Sequence, residues 1–183
     1  MEVVVSRNVT ESRAVYPPKV TVTRNAAVKR FILLVISHLS IGLVGFLAGI
    51  YLLPILTAPP APDDTEVQAV IEKSQFRGEF RRNLRGSDAL HWGEGEVAIG
   101  PDVVSLRGEI APGPDYKLYL SPQFVETEAE FLGLKGRMVR VGDVKTFDNF
   151  VIDLPPSVDV TAFNTVVIWC EAFGEFITAA RYR

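Results

Sequence analysis

The sequence predicts an all-β, antiparallel β-sandwich-like domain outside the cytoplasm, preceded by one N-terminal transmembrane helix. Three observations predict it. An uncharged apolar run fills residues 31–57. Helical periodicity ends soon after that run, following one short amphipathic stretch. Brief β-rich segments separated by turn signals then occupy the rest of the 183 residues. With 48% hydrophobic and 22% charged residues, the composition excludes wholesale disorder.

Charge divides the chain into parts. Residues 1–30 hold six of the 19 bases and two of the 22 acids; residues 31–57 hold neither; the remaining 13 bases and 20 acids follow. A basic head of 1–30, a span of 31–57, a linker and short helix of 58–73 and a β domain of 74–183 are expected. The head contains Tyr16-Pro17-Pro18 and no helical stripe, so it reads as a short disordered cytoplasmic tail. The net charge of −3 is too small to argue for a nucleic-acid partner.

Phe31 to Leu56 (FILLVISHLSIGLVGFLAGIYLLPIL) makes a helix roughly 39 Å long, enough to cross a hydrocarbon core of about 30 Å. The lipid bilayer is therefore the first expected partner. Gly45 and Gly49 have the spacing that lets two membrane helices approach, and His38 is a polar group within the span. Lys19, Arg24, Lys29 and Arg30 precede the run, whereas Asp63, Asp64 and Glu66 are the first charges after it. The positive-inside rule puts the N-terminus in the cytoplasm and the body outside. Prolines at 59, 60 and 62 stand where a signal-peptide cleavage site wants small residues, so an uncleaved signal anchor is expected. On that topology the Asn8-Val9-Thr10 sequon lies on the cytoplasmic side. The Ala/Pro run from 58 to 62 reads as a stiff spacer.

Asp64 to Ser74 has a capping acid followed by Val67, Val70 and Ile71 at helical spacing, which predicts a brief helix. Eight strands are expected after it: Phe76–Arg82, His91–Ile99, Val103–Glu109, Tyr116–Leu120, Met138–Val141, Asn149–Leu154, Val166–Cys170 and Glu175–Ala180. Glu126–Glu130 reads as a charged helical or irregular insertion with a solvated face. Thr165–Cys170 is apolar at nearly every position, so it should be a central strand covered on two sides. Alternation then puts Val166, Ile168 and Cys170 on one face and Val167 and Trp169 on the other.

The chemistry is bounded first by what is missing. One cysteine and two histidines exclude an internal disulfide, a C-x-x-C redox pair, a c-type haem attachment and a three-histidine metal site. A blue-copper site needs two histidines and a cysteine, and the body has one of each. No phosphate-cradling loop, nucleophile elbow or recognisable triad appears, so no catalytic constellation is found. The candidates left are Cys170, His91, Met138 and Asp115, with Trp169 beside the cysteine. Cys170 is either a small buried hydrophobe or a thiolate for ligation or redox work. His91 is either a satisfied surface histidine or a ligand. Asp115 is either a turn-capping residue or a ligand.

The ordered segments Gly113–Ser121, Val141–Lys145, Phe150–Pro155, Val166–Phe173 and Phe176–Ala180 resemble the DM-thirteen domain family. His91 and Gly95 fall where that family has a histidine followed by a glycine. The resemblance covers roughly residues 74–183, and its strongest piece is Val167-Ile168-Trp169-Cys170. It implies a β-sandwich-like fold, an extracytoplasmic setting, and an electron-transfer role resting largely on Cys170, with His91 beside it. A haem or metal cofactor fits that role, though the sequence requires neither. An extracytoplasmic protein or redox partner fits it as well. The basic head and anchor fit a bacterial inner-membrane protein with a single span. Two departures fall in turns: a longer segment over 122–140, and Asp148-Asn149 where a glycine is common. The rival reading is a tethered, non-catalytic binding or structural module in which Cys170 is a core residue.

Overall fold

The computed structural model describes residues 24–183. The sequon, Tyr16-Pro17-Pro18 and the bases Arg7, Arg13 and Lys19 lie outside the described residues.

The first element is helix α1, Arg24–Thr57. It starts before the expected boundary at residue 30, because Ala26, Ala27, Lys29 and Arg30 are good helix formers with no breaker among them. The expected tail is corrected there: residues 24–30 are helical. Within Asn25–Thr57 an 18-residue stretch has a mean hydropathy of 2.4 and none of that stretch is buried, so the helix is long and apolar enough to cross a membrane. Its polar side chains turn back on their own helix. Ser37 Oγ donates to the Leu34 carbonyl at 2.9 Å, and Thr57 Oγ1 to that of Leu53 at 2.8 Å. His38 Nδ1 lies 2.8 Å from the Leu34 carbonyl oxygen. Each such bond pairs a polar group that would be costly to leave unpaired in apolar surroundings.

The all-β expectation is too strict: two antiparallel sheets make up most of the body, but among the described residues three α-helices accompany them and one of these lies between two strands of the body itself. Helix α2, Asp64–Lys73, begins where the Asp63 side chain accepts the Glu66 N–H at 2.9 Å. Acids in its first turn and Lys73 in its last suit the helix dipole. Its buried residues, Val67 and Ile71, pack on Ala98 and Val151.

Eight strands follow: β1 Phe76–Phe80, β2 Gly93–Ile99, β3 Val103–Ile110, β4 Tyr116–Ser121, β5 Val139–Val144, β6 Phe150–Asp153, β7 Thr165–Cys170 and β8 Glu175–Arg181. Helix α3, Glu128–Leu134, sits between β4 and β5 where the charged insertion was expected. The strands form two antiparallel four-stranded sheets, ordered β1-β2-β3-β6 and β5-β4-β7-β8. The chain crosses between sheets at Ala111–Asp115, again between β5 and β6, and again between β6 and β7.

One core fills the space between the sheets, with Val97, Leu106, Leu118, Ile168 and Cys170 among its residues. A second lies on the outer face of the β5-β4-β7-β8 sheet, where Phe131 of α3 covers Val167, Trp169 and Phe176. All six residues of β7 are buried. The predicted alternation holds: Val166, Ile168 and Cys170 join the first core, Val167 and Trp169 the second.

The β2–β3 pair depends on two facing glycines. Gly95 is opposite Gly108, and Gly95 has φ +131°. A Cβ on Gly95 would lie 2.3 Å from the Arg107 carbonyl oxygen, and one on Gly108 2.1 Å from that of Glu94. The Gly108 N–H donates to Asn149 Oδ1 at 3.0 Å, and Asn149 Nδ2 donates to Asp64 Oδ1 at 2.9 Å, which ties α2 to the sheet. Asn149, one of the two departures, therefore has a structural task here. Gly95→Ala should lower stability by about 2 kcal/mol or more, through backbone strain and the carbonyl clash. Urea unfolding of the full chain measures this; an unchanged midpoint would show that the strand pair relaxes freely.

Candidate functional site

The end of β7 is held by the turn that opens β4. Asp115 has φ +56°, a left-handed conformation that costs a non-glycine residue roughly 1–2 kcal/mol. Lys117 lies against that turn, its Nζ 2.5 Å from Asp115 Oδ1 and 3.0 Å from Asp143 Oδ1. The twisted turn aims two carbonyls at the strand end. Pro114 O accepts from Cys170 Sγ at 3.0 Å, and Asp115 O accepts from the Glu171 N–H at 3.1 Å.

Cys170 is 2% exposed. Burial pushes its thiol pKa up; the Phe173 and Ala172 backbone N–H groups oppose this, and the charges of Asp115 and Glu175 add to it. Cys170 is therefore a protonated, hydrogen-bonded thiol at neutral pH, without the depressed pKa that thiolate chemistry needs. His91 enters through another turn. Asp88 Oδ1 accepts the backbone N–H of Leu90 at 2.7 Å and of His91 at 2.8 Å, while Asp88 Oδ2 lies 3.0 Å from His91 Nδ1. The imidazole is the main cause of the lowered Asp88 pKa. With its proton on Nδ1 toward Asp88, the ring leaves Nε2 as an acceptor.

Cys170 and His91, 79 positions apart in sequence, line one apolar cleft of about 450 Å³. Tyr116, Pro114, Phe173 and Glu175 line it too. Tyr116 was not among the sequence candidates, although it closes the Gly113-Pro114-Asp115-Tyr116 turn. Gly113 is required beneath it, since a Cβ there would lie 2.3 Å from the Tyr116 hydroxyl. Glu175 was missed because its neighbour is remote: Glu128 of α3 faces it and, with burial, pushes its pKa up.

Trp169 and Met138 lie on the other face of β7 from Cys170. Trp169 stacks on Phe131 with centroids 4.0 Å apart and planes at 10°. Tyr119 meets Phe131 edge-on at 5.2 Å and donates its hydroxyl to Glu171. Lys135 Nζ closes the group 2.8 Å from Glu171 Oε2 and 5.6 Å from the Trp169 ring. Burial raises the Glu171 pKa, but the bonds from Lys135 and Tyr119 outweigh it and hold the carboxyl below the usual range. The Trp169 indole N–H points toward Glu171 without closing a hydrogen bond. None of this had a sequence signal beyond the aromatic residues themselves.

Among the described residues, no three His, Cys, Asp or Glu side chains gather closely enough to hold a metal ion. Cys170, His91 and Met138 are not brought together as one ligand set, and the residues present do not fit a protein-caged metal.

Two outcomes follow. Native Cys170 should resist maleimide labelling at neutral pH and react fully once the domain is unfolded; rapid native labelling would contradict the buried, protonated thiol. The second concerns Glu175. Its folded pKa is raised, so its contribution to stability is full below the unfolded pKa and is lost as pH rises through the folded value. Glu128→Gln should therefore raise the urea midpoint at pH 7 and leave it unchanged near pH 3.

No curated protein and no solved structure matches this chain. A family model does, over residues 80–182, which takes in β2 to β8 and the last residue of β1, together with Cys170, His91 and the Asp115 turn. That match spans more than half of the sequence, and the chain belongs to the DM13 family, described as electron transfer DM13.

Proposed function

We propose that this protein is a single-pass, membrane-anchored electron-transfer module, in which the Cys170 cleft is where the electron carrier meets the protein. Helix α1 is the anchor, the basic residues that precede its uncharged run stay in the cytoplasm, and the β domain stands outside. In a bacterial cell that membrane is the inner one. One observation carries the redox part. In a family described by electron transfer, three turns distant in sequence converge to set a neutral thiol, an imidazole and a phenol on one apolar cleft. Cys170 works there as a neutral cleft-wall group, since burial and the Pro114 hydrogen bond keep the thiol protonated.

The same burial favours a second reading, a tethered binding or structural module in which Cys170 is only packing. The two differ in electrochemistry. Protein-film voltammetry on the full chain, purified from membranes in mild detergent so that its electron carrier stays bound, should give that carrier's reversible wave. Cys170→Ala should weaken or shift that wave while circular dichroism keeps its β signature. An absent wave, or one that Cys170→Ala leaves unaltered, would overturn the cysteine-centred redox reading. Truncating Cys170 should also cost about 1–3 kcal/mol of stability under either reading. The anchor is tested separately: the chain should stay with membranes through alkaline carbonate and leave only with detergent.

A further inference from the structure

The cleft has the size and make-up of a small-molecule site. Its volume of about 450 Å³ lies within the range usual for such sites, and its lining is largely apolar. Leu90 and Phe173 on its rim are 58% and 56% exposed, large apolar side chains left open to solvent. Leu47, Ile50 and Tyr51, from the later turns of α1, also line it. Those three residues belong to the uncharged run read above as the membrane span, so the cleft is continuous with the element that meets lipid.

A polar group inside the cleft has no partner. Tyr116 is 3% exposed, and its hydroxyl lies over Gly113 without a hydrogen bond to any described residue. The hydroxyl is not one of the buried unpaired polar atoms of the domain, so it opens on the cleft, where it is free to donate to a ligand's acceptor. Burial keeps it protonated, aided by nearby Cys170 and Tyr51. Among the described residues no Lys or Arg lines the cleft, whereas Glu175 does, with Asp88 on His91 and Asp115 near Cys170. An anionic ligand would meet like charge and no counter-charge. Tyr51 and Phe173 offer aromatic surfaces to a planar ring. The ligand these features suit is neutral, planar and apolar, and carries a carbonyl acceptor.

Building on the electron-transfer reading of this cleft, we propose that it is the headgroup site of a lipophilic quinone, with the Tyr116 hydroxyl donating to a quinone carbonyl. His91 Nε2 is the acceptor available to a quinol hydroxyl in the same cleft.

The test uses the full chain in phosphatidylcholine nanodiscs, titrated with decylubiquinone while the thermal unfolding midpoint is followed. A saturable rise is expected. Tyr116→Phe keeps the packing and removes the donor, so the half-saturating concentration should rise about two- to tenfold, the worth of one hydrogen bond. Phe173→Asp puts a charge on an exposed rim position and should abolish the rise. Oleate, an anionic chain of similar apolarity, should give none at neutral pH. No saturable rise with decylubiquinone, an unchanged response in Tyr116→Phe, or an equal rise with oleate would each overturn the quinone site. A Cys170-dependent voltammetric wave without a quinone response would sink this inference and leave the electron-transfer reading standing. A quinone response without a wave would do the reverse.

Discussion

Strand β7 must hide both of its faces, and the layers of the domain follow from that demand. Its six residues are fully buried, so one sheet facing another cannot satisfy it. The β1-β2-β3-β6 sheet covers one side; α3 and the loops beside it cover the other. Burying a large apolar side chain stabilises by roughly 1.5–3 kcal/mol, so a strand buried on both faces contributes more per residue than one with a solvated face. The two-residue period of a strand then puts neighbours in sequence into separate environments. Cys170 faces the inter-sheet core and its cleft, while Trp169 faces an aromatic stack held by Lys135 and Glu171.

Unusual backbone geometry occurs at the Asp115 turn, where the chain changes sheets, and at the facing glycines of β2 and β3. Asp115 accepts a left-handed backbone, and Gly95 and Gly108 allow two strands to cross closer than side chains permit. At the Asp115 turn the strain serves a visible purpose: it directs the Pro114 and Asp115 carbonyls at the end of β7. A turn of ordinary geometry would leave the Cys170 thiol and the Glu171 N–H to find other acceptors.

Local signals in the sequence survived well. The eight strands lie where Gly/Pro/Asp turns punctuate β-rich runs, and the faces of β7 followed from counting by twos. Helix α1 begins before its uncharged run, because Lys29 and Arg30 mark a change of charge and nothing near them breaks a helix. The site was only partly legible. Cys170 and His91 stood out because each is scarce in the chain. Tyr116 did not, since a tyrosine opening a strand looks like any core aromatic until its hydroxyl is found without a partner. The Glu128–Glu175 pair and the Tyr119–Glu171–Lys135 group bring together residues 36 to 52 positions apart, a closeness that exists only once the sheets have formed.

Helix α2 is fastened rather than draped. Asn149 holds Asp64, Arg107 donates to Gln68 at 2.7 Å, and Arg77 reaches the Ile71 carbonyl at 2.9 Å. The slack between α1 and the domain is therefore only the six residues 58–63, which span at most about 20 Å. On the membrane-anchored reading such a leash confines the search for a partner to a thin slab beside the lipid. Encounters with anything dissolved in that bilayer then behave as intramolecular events at a high effective concentration, whereas a soluble partner must diffuse to the slab. Weak individual contacts suffice for the first kind of traffic, and a longer tether would dilute that advantage.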